Sequence, residues 1–297
     1  MIVFAQALGR KQALALWKQK ATSFDVTTLE GRFQHDWLES DIVATMNESL
    51  MSAFIMEQKQ TLHWKEHHVT VMVVPWCVHD DPEALKSLLQ ERCQMHAHTV
   101  LATLIMSEDE VLMRSLKAIP WVMTQSVNLS KSMIEPLSFS MVTFELPLKG
   151  VALAYSRFMQ RFESYRIKDE ANFELPHTSG ITRRKRAGLL QEDKVLGYIE
   201  YELTPYGVDI RELIYEDVDT LMRLLSFASS LHHHIVLHTS SAERFEKLFP
   251  QATITKKVES WLILHHPSLC SELFKQSIED AQDLSRILAK PIMMHTR

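Results

Sequence analysis

The residues with the clearest chemical potential in this sequence are Cys77 and His79, at the end of a strongly apolar run. The run, residues 69–78, reads VTVMVVPWCV, and its many β-branched side chains predict a central β-strand. A thiol or an imidazole at the end of such a strand could act as a general base or a general acid. The simpler interpretation is a small buried cysteine beside a loop histidine.

Histidines occur in three adjacent groups, at positions 67–68, 232–234 and 265–266, which at first sight suggests metal binding. Adjacent residues of a strand point to opposite faces, so neighbouring histidines cannot ligate one ion together. No predicted helix carries two histidines four positions apart beside a carboxylate. We therefore predict no metal site, and we expect these histidines at turns or strand edges.

The basic run Arg183-Arg184-Lys185-Arg186 lies in a polar stretch, residues 176–194, that contains two glycines and one proline. Such a composition favours a flexible loop. A solvated loop is the simpler interpretation of the run, and contact with an anionic partner is the alternative.

The composition limits the classes of function. With 297 residues, of which 46% are hydrophobic, the chain can bury a full core and is long enough for two domains. A net charge of −5 argues against broad binding to nucleic acid or to anionic membranes. Three scattered cysteines without a CxxC pair, no signal-peptide pattern and no long apolar stretch predict a cytoplasmic protein.

Glycine is scarce in this sequence. The chain has only 7 glycines, whereas average usage would supply roughly 20. None lies between Gly31 and Gly150. A glycine-rich phosphate-binding loop is therefore disfavoured in the first half.

Both halves of the sequence repeat one order of predicted elements: strand, strand, helix, strand, helix, strand. The first half is predicted to contain strands at 41–46, 50–64, 69–78, 98–106 and 121–129, and helices at 11–21, 83–94 and 107–117. The second half is predicted to contain strands at 195–203, 208–215, 233–238, 252–257 and 259–265, and helices at 151–165, 217–231, 241–249 and about 271–289.

Two predictions concern the central strand of the first half and the helix that follows it. Pro75 cannot donate a ladder hydrogen bond, so the strand should bulge or splay there. Asp80 or Asp81 should cap the helix, with Pro82 at its first position and Glu83 in its first turn.

This order, with an apolar central strand that leads into a capped helix, resembles the GNAT N-acetyltransferase superfamily. The closer resemblance is to the Eis-type branch (enhanced intracellular survival), in which two GNAT halves stand in tandem. Segment 69–78 is similar to the fourth strand, which ends near Val-x-Val-x-Pro. SEDEVLMR, at 107–114, is similar to the segment Ser-Glu-x-x-Ile-Tyr-x-Arg, and residues 197–225, GYIEYEL…VDIRELIYEDVDTLMRLL, are similar to the opening of the second half.

The resemblance covers about residues 1–265. It implies an α/β fold of two GNAT-like halves, residues 1–145 and 146–297, with mixed, splayed sheets and flanking helices. Eis-type proteins also end in a sterol-carrier-like domain whose terminal carboxylate reaches the active site, and we expect this chain to lack that domain. Because Eis-like relatives assemble, a homo-oligomer is also considered.

The segment that would receive the coenzyme A pyrophosphate departs from the family pattern. The superfamily carries Arg/Gln-x-x-Gly-x-Gly/Ala there, so that backbone amides at a helix N-terminus close around the phosphates. Here the segment 79–84 reads HDDPEA. Pro82 has no amide hydrogen, and three carboxylates stand where the pyrophosphate would dock. Two unit charges about 4 Å apart repel by roughly 4 kcal/mol at an effective dielectric of 20, which corresponds to about three powers of ten in affinity.

If the protein is an enzyme, the resemblance implies acetyl transfer from acetyl-CoA to a primary amine of a small substrate. The side chains expected along the cofactor are Val73, Val74, Trp76 and Cys77. The candidates for proton handling are Glu57, Cys77 and His79. Leu112 stands where the family has the tyrosine that protonates the departing thiolate, and a leucine cannot donate a proton. The alternative is a catalytically inactive binding or regulatory module that reuses the fold.

Overall fold

The computed structural model describes residues 2–4, 10–20, 41–47, 50–174, 184–288 and 292–293. The strands are β1 (Ile2–Phe4), β2 (Asp41–Asn47), β3 (Leu50–Trp64), β4 (His67–His79), β5 (Ala102–Ile105), β6 (Ile119–Ser130), β7 (Val142–Thr143), β8 (Ser164–Arg166), β9 (Arg184–Gln191), β10 (Lys194–Thr204), β11 (Gly207–Tyr215), β12 (His234–Ser240), β13 (Thr253–Leu264) and β14 (Ile292–Met293). The α-helices are α1 (Arg10–Lys20), α2 (Pro82–His96), α3 (Glu110–Ser115), α4 (Leu148–Met159), α5 (Val218–Leu231), α6 (Phe245–Leu248), α7 (Pro267–Phe274) and α8 (Ala281–Ile287). Short 3-10 turns lie at Lys131–Met133 and Glu170–Phe173.

The chain forms two compact units. The first comprises Met1–Trp121 and Val258–Ala289, and the second comprises Val122–Lys257 and Lys290–Arg297. The sequence suggests the contiguous halves 1–145 and 146–297, and this division differs from them. The reason is strand pairing: β13 pairs with β5 of the first unit, and β6 pairs with β12 of the second unit. Alternating hydrophobicity predicts a strand but not its neighbour in the sheet.

The sheet of the first unit runs in the order β1, β2, β3, β4, β5, β13. Its strands are antiparallel except for the parallel pair β4 and β5. Helix α1 covers one face, where Leu16 and Trp17 pack on Phe54. Helices α2 and α3 cover the other face. A sheet with both faces covered explains why the sequence of β4 is almost continuously apolar.

The sheet of the second unit runs in the order β6, β12, β11, β10, β9, β7, and its parallel pair is β11 with β12. Helix α5 packs on one face through Leu221, Leu224 and Leu225. Helix α4 packs with β10 and β11 in a separate aromatic core. The second unit therefore repeats the arrangement of the first, with a parallel strand pair connected by a helix.

The bulge predicted at Pro75 is confirmed. The register of β3 against β4 moves from Gln58 opposite Val73 to Met56 opposite Trp76, which places one extra residue on β4. The parallel pairing of β4 with β5 reaches only Val74 opposite Ile105, whereas β4 continues to His79. Because β5 ends at Ile105, β4 is paired beyond residue 74, among the described strands, only on its β3 side.

The second unit has the same irregularity. Tyr201 lies opposite Ile210 and Glu200 opposite Glu212, so β11 carries an extra residue. The parallel pairing of β11 with β12 ends at Ile210 opposite Leu237, and β11 continues to Tyr215. Strand β12 also continues beyond its last paired residue, to Ser240, so β11 and β12 separate there.

Several element predictions need correction. Residues 253–264 form one strand, β13, rather than two, and the predicted C-terminal helix is two helices, α7 and α8. The polar stretch 176–194 is partly strand, because β9 begins at Arg184; residues 175–183 lie outside the described residues. Within the described ranges, no helix combines the length and the apolar character needed to cross a membrane.

Candidate functional site

The site predicted from the sequence is the junction between β4 and α2. Asp81 is the N-cap of α2, and its side chain accepts a hydrogen bond from Glu83 N at 3.0 Å. Pro82 occupies the first helical position and Glu83 the first turn. The predicted cap is confirmed. Its cause is local, because an aspartate oxygen satisfies one of the amides that a helix start leaves without a partner.

The backbone amides of this junction are engaged within the chain. Asp80 N and Asp81 N both donate to Ser52 O on β3, at 2.9 and 3.5 Å. Glu83 N donates to the Asp81 carboxylate, and Leu85 N donates to Asp81 O at 3.2 Å. Pro82 has no amide hydrogen to offer. The junction therefore closes on its own strand and helix.

Glu57 lies in a buried ion-pair network on the face of the sheet that α2 covers. Arg92 donates from Nη2 to Glu57 Oε2 at 2.7 Å and from Nε at 3.1 Å to Oε1. His96 Nε2 lies 3.0 Å from Glu57 Oε1. Burial alone would raise the pKa of Glu57, but His96 and Arg92 outweigh it and hold that pKa below the ordinary value of 4.5. A carboxylate held ionised by a bidentate arginine is a poor acceptor for a substrate proton.

The network continues from His96 through Thr103. His96 Nδ1 lies 3.1 Å from Thr103 Oγ1, and Thr103 Oγ1 lies 2.8 Å from His265 Nε2. Burial, together with the charge of His96 and His266, lowers the pKa of His265 to about 4. Elements far apart in sequence, β3, α2, β5 and the residue after β13, thus share one polar chain.

Cys77 is half-buried and packs in the core between the sheet and helices α2 and α3. Burial raises the pKa of its thiol, and nearby Cys93 and Glu57 raise it further. A thiol with a raised pKa is a weak nucleophile and a weak acid at neutral pH. The geometry agrees with the simpler interpretation of Cys77 as a core residue.

His79 is half-buried on the same face of the sheet as Cys77. Among the described residues its buried Nδ1 has no hydrogen-bond partner. Of the three candidates for proton handling, His79 is the one with a buried ring nitrogen for which the described residues supply no hydrogen-bond partner.

The side chains predicted along the cofactor pack inside the protein. Val73 and Val74 are buried, and Val74 lies in the core beneath α2 and α3. The ring of Trp76 lies 4.6 Å from that of Trp17 on α1, centroid to centroid. Trp17, Trp64, Trp121 and Trp261 are buried too, as expected of core filling.

Comparison with known proteins identifies the fold but not a close relative. No protein-family model matches the chain, and no curated protein matches it either. A probable N-acyltransferase of unknown function from Enterococcus faecalis V583 superposes with a TM-score of 0.73 at 9% identity, over 89% of this chain and 72% of that one. A GCN5-related N-acetyltransferase from Anabaena variabilis gives 0.69 at 16% identity, over 93% and 75%. The fold is that of the GCN5-related N-acetyltransferases. Eis1 from Mycobacterium abscessus gives 0.62 at 13% identity, over 89% and 73%.

The GNAT fold implies acetyl-CoA, and the junction residues do not fit its pyrophosphate. A helix N-terminus binds phosphate through free amides, and the amides of Asp80, Asp81 and Glu83 already donate within the chain. The carboxylates add repulsion, but the Glu83 side chain is 81% exposed, and water reduces the repulsion between such charges to about 1 kcal/mol at 4 Å. The engaged amides are therefore a stronger obstacle than the charges.

The residue that the resemblance places at the catalytic tyrosine is also a core residue. Leu112 is buried against α2 and the sheet in the first unit. Its backbone amide donates to the Asp109 carboxylate, which caps α3. Leu112 therefore supplies apolar packing, and its side chain has no proton to donate.

The second unit has an equivalent junction between β11 and α5, and it is closed in the same way. Glu216 N donates to Leu196 O on the neighbouring strand at 3.0 Å. Asp217 caps α5 by accepting from Thr220 N at 2.8 Å. Arg161 donates to the Glu216 carbonyl. The acidic cap and the engaged amide recur, so neither junction offers a phosphate cradle.

A polar cluster that the sequence did not reveal bridges the splay of the second unit. Tyr215, at the end of β11, donates to Glu243 Oε1 at 2.7 Å, and Thr239, near the end of β12, donates to Glu243 Oε2. Burial raises the pKa of Glu243. The carboxyl group therefore fills the space where the two strands are no longer paired.

The basic run belongs to a strand pair rather than to a solvated loop. Arg186 is buried and donates to Glu200 Oε1 at 2.6 Å. Arg184 Nε lies 3.7 Å from Glu202 Oε1. Both acids stand on β10 directly opposite the two arginines. The interpretation as a flexible loop is wrong for residues 184–186, which lie in β9, and cross-strand acids neutralise Arg184 and Arg186.

Proposed function

We propose that this protein is a GNAT-fold binding module that does not use acetyl-CoA at the β4–α2 junction. The observation that supports this function is the hydrogen bonding of Asp80 N and Asp81 N to Ser52 O. A pyrophosphate could recruit these amides only after β4 and β3 had separated locally. The ionised, arginine-bound Glu57 and the buried Leu112 support the same proposal, since neither can exchange a proton with a substrate.

Calorimetric titration of the purified protein with acetyl-CoA tests the proposal. We expect no binding, or a Kd above about 1 mM, which corresponds to a binding free energy weaker than about −4 kcal/mol. A micromolar Kd, or turnover of acetyl-CoA with a small primary amine, would contradict the proposal.

A paired variant locates the obstacle. Asp81→Gly with Pro82→Gly restores an amide at position 82 and removes one acid and the cap, so it should bind acetyl-CoA more tightly than the wild type. Asp280→Gly is the matched control, because it removes the same kind of cap from α8, a helix that belongs to neither junction, and it should leave the affinity unchanged. An unchanged affinity in the paired variant would show that the junction is not the obstacle.

Acetyl transfer from acetyl-CoA to a small primary amine is the second candidate function. It is supported by the end of the β4–β5 pairing at Val74, which leaves the last five residues of β4 without a partner among the described strands on that side, at the place where the GNAT resemblance puts the cofactor. His79 would be its candidate for proton handling, since the structure leaves the Nδ1 of that ring without a partner among the described residues. The titration above distinguishes the two candidates.

A further inference from the structure

The ammonium group of Lys168 is buried in the second unit against a carboxylate and aromatic rings. Its side chain is 9% exposed, and Nζ donates to Glu212 Oε2 at 2.7 Å. The Glu212 side chain is 5% exposed, and its other oxygen accepts from the Tyr198 hydroxyl. A lysine this deeply enclosed is uncommon, because its flexible stem and strongly hydrated charge favour the surface.

Aromatic faces complete the surroundings of this ammonium group. Lys168 Nζ lies 4.7 Å from the ring centroid of Tyr155 and 5.2 Å from that of Phe173. The two rings lie edge to face, 5.3 Å apart. Cations within about 6 Å of a ring face are attracted by its quadrupole, and the attraction grows when water is excluded. We name these two rings, together with Glu212 and with Tyr198, which donates to Glu212, the ammonium cage.

The walls of the cage and its occupant come from different kinds of structure. The three rings are almost fully buried, on α4, β10 and the 3-10 turn at Glu170–Phe173. Burial raises the pKa of Tyr155 and Tyr198, so both hydroxyls stay protonated donors. Lys168 stands on an irregular stretch between β8 and that turn, with exposed neighbours Ile167 and Asp169. The cage is therefore held by core packing, whereas Lys168 reaches into it from the surface.

We propose that the ammonium cage is a binding site for primary alkylammonium groups, which Lys168 occupies within its own chain. The cage supplies the three features that recognise such a group, a charge-assisted acceptor, π faces and exclusion of water. An external alkylammonium would replace the Lys168 head group with the same contacts and would release residues 167–169. The proposal goes beyond the function proposed above and does not depend on the β4–α2 junction.

Calorimetry on the Lys168→Ala variant with n-propylammonium chloride tests the cage, because this ligand restores the atoms that the substitution removes beyond Cβ. We expect saturable binding. Lys168→Ala with Glu212→Gln should bind roughly ten- to a hundredfold more weakly, since it lacks the charge-assisted hydrogen bond. Equal affinity in the two variants, or no saturation, would overturn the proposal.

Lys194→Ala is the matched control. It removes the lysine of another Lys–Glu pair, at 2.7 Å to Glu216, which is exposed. This variant should show no saturable binding of n-propylammonium. Binding equal to that of Lys168→Ala would mean that any unpaired glutamate suffices, and the cage would be refuted.

The wild type provides a test that does not rely on folding of the variants. Hydrogen exchange measured by mass spectrometry should become faster in residues 164–174 when n-propylammonium chloride is added, and not with sodium chloride at equal ionic strength. Displacement of Lys168 predicts this increase. The ligand is added at a concentration that saturates the Lys168→Ala variant. If that variant does not fold, about 0.1 M ligand is used, which is close to physiological ionic strength. An unchanged exchange rate would exclude displacement of Lys168 and overturn the proposal.

Discussion

Glu57 provides the sharpest test of the site, because a catalytic and a structural role predict opposite outcomes. Glu57→Gln removes the charge with little change in shape and leaves Arg92, whose side chain is 10% exposed, without its carboxylate. Removing one partner of a buried ion pair costs about 3–5 kcal/mol. For a unit of this size, about 2–4 °C of Tm correspond to each kcal/mol. We therefore expect a loss of roughly 6–20 °C.

Tryptophan fluorescence during urea unfolding measures this loss in the correct unit. All six tryptophans of the sequence fall within the residues of the first unit, and none within the second. Glu83→Gln is the matched control, since Glu83 is exposed and lies 3.9 Å from Lys86. It should change the free energy of unfolding by no more than about 0.5 kcal/mol. Glu57→Leu with Arg92→Leu removes both partners and should cost much less than either single change.

The pH dependence of the folding stability tests the structural role of Glu57 independently. The pKa of Glu57 is lowered in the folded state, so its contribution to stability is present above the ordinary pKa of a glutamate and declines as the pH falls through the folded value. The difference between wild type and Glu57→Gln should therefore shrink below about pH 4.5. A loss below about 1 kcal/mol at pH 7 in Glu57→Gln, with acetyl-transfer activity abolished, would refute the structural role.

Two further predictions concern the same unit. His265 has its pKa lowered to about 4, so the folded state binds fewer protons than the unfolded state between pH 6.5 and 4, and stability should fall as the pH is lowered through that window. His265→Gln should flatten this part of the urea-unfolding profile, and an unaltered profile would contradict the assignment. Burial raises the pKa of the Cys93 thiol to about 12. Cys93 should therefore react with iodoacetamide at pH 8 roughly a hundredfold more slowly in the folded protein than in urea. Equal rates, measured by peptide-resolved mass spectrometry, would contradict this prediction.

Features set by local chemistry were predictable from the sequence. The bulge follows from Pro75, which cannot contribute to a strand ladder, and the cap follows from Asp81 before Pro82. The bounds of β3 agree with the prediction residue for residue. In each case the residues that decide the structure are close together in the chain.

The ion-pair network was not predicted, because its members are far apart in sequence. Glu57 and Arg92 are 35 residues apart, and no local pattern joins them. The signal that was present lies on α2, where Leu85, Leu88, Leu89, Arg92 and His96 share the buried face. Two ionisable groups on an apolar stripe require a buried partner of opposite charge. Glu57 is that partner in the structure.

The basic run also carried a signal that the loop interpretation overlooked. Arg184 and Arg186 alternate with Lys185, and Glu200 and Glu202 alternate around Tyr201 on the other side of a tight turn. Equal period-two patterns of opposite charge are typical of two antiparallel strands. The register of β9 and β10 places each arginine opposite an acid. Charge density alone suggested a partner outside the chain, whereas charge spacing indicated one inside it.

The two junctions show how the chain itself can satisfy the backbone amides at a helix start. A helix that begins at the end of a splayed strand has amides without partners, which are satisfied either by a ligand or by the chain itself. In this protein Asp81 and Asp217 supply a carboxylate to the helix, and Ser52 and Leu196 supply a carbonyl from the neighbouring strand. These carboxylates and carbonyls stabilise the helix starts and compete with an anion for the same backbone amides. The side chains that form the core of each unit do not include these donors, so the two sheets do not depend on how the amides are satisfied.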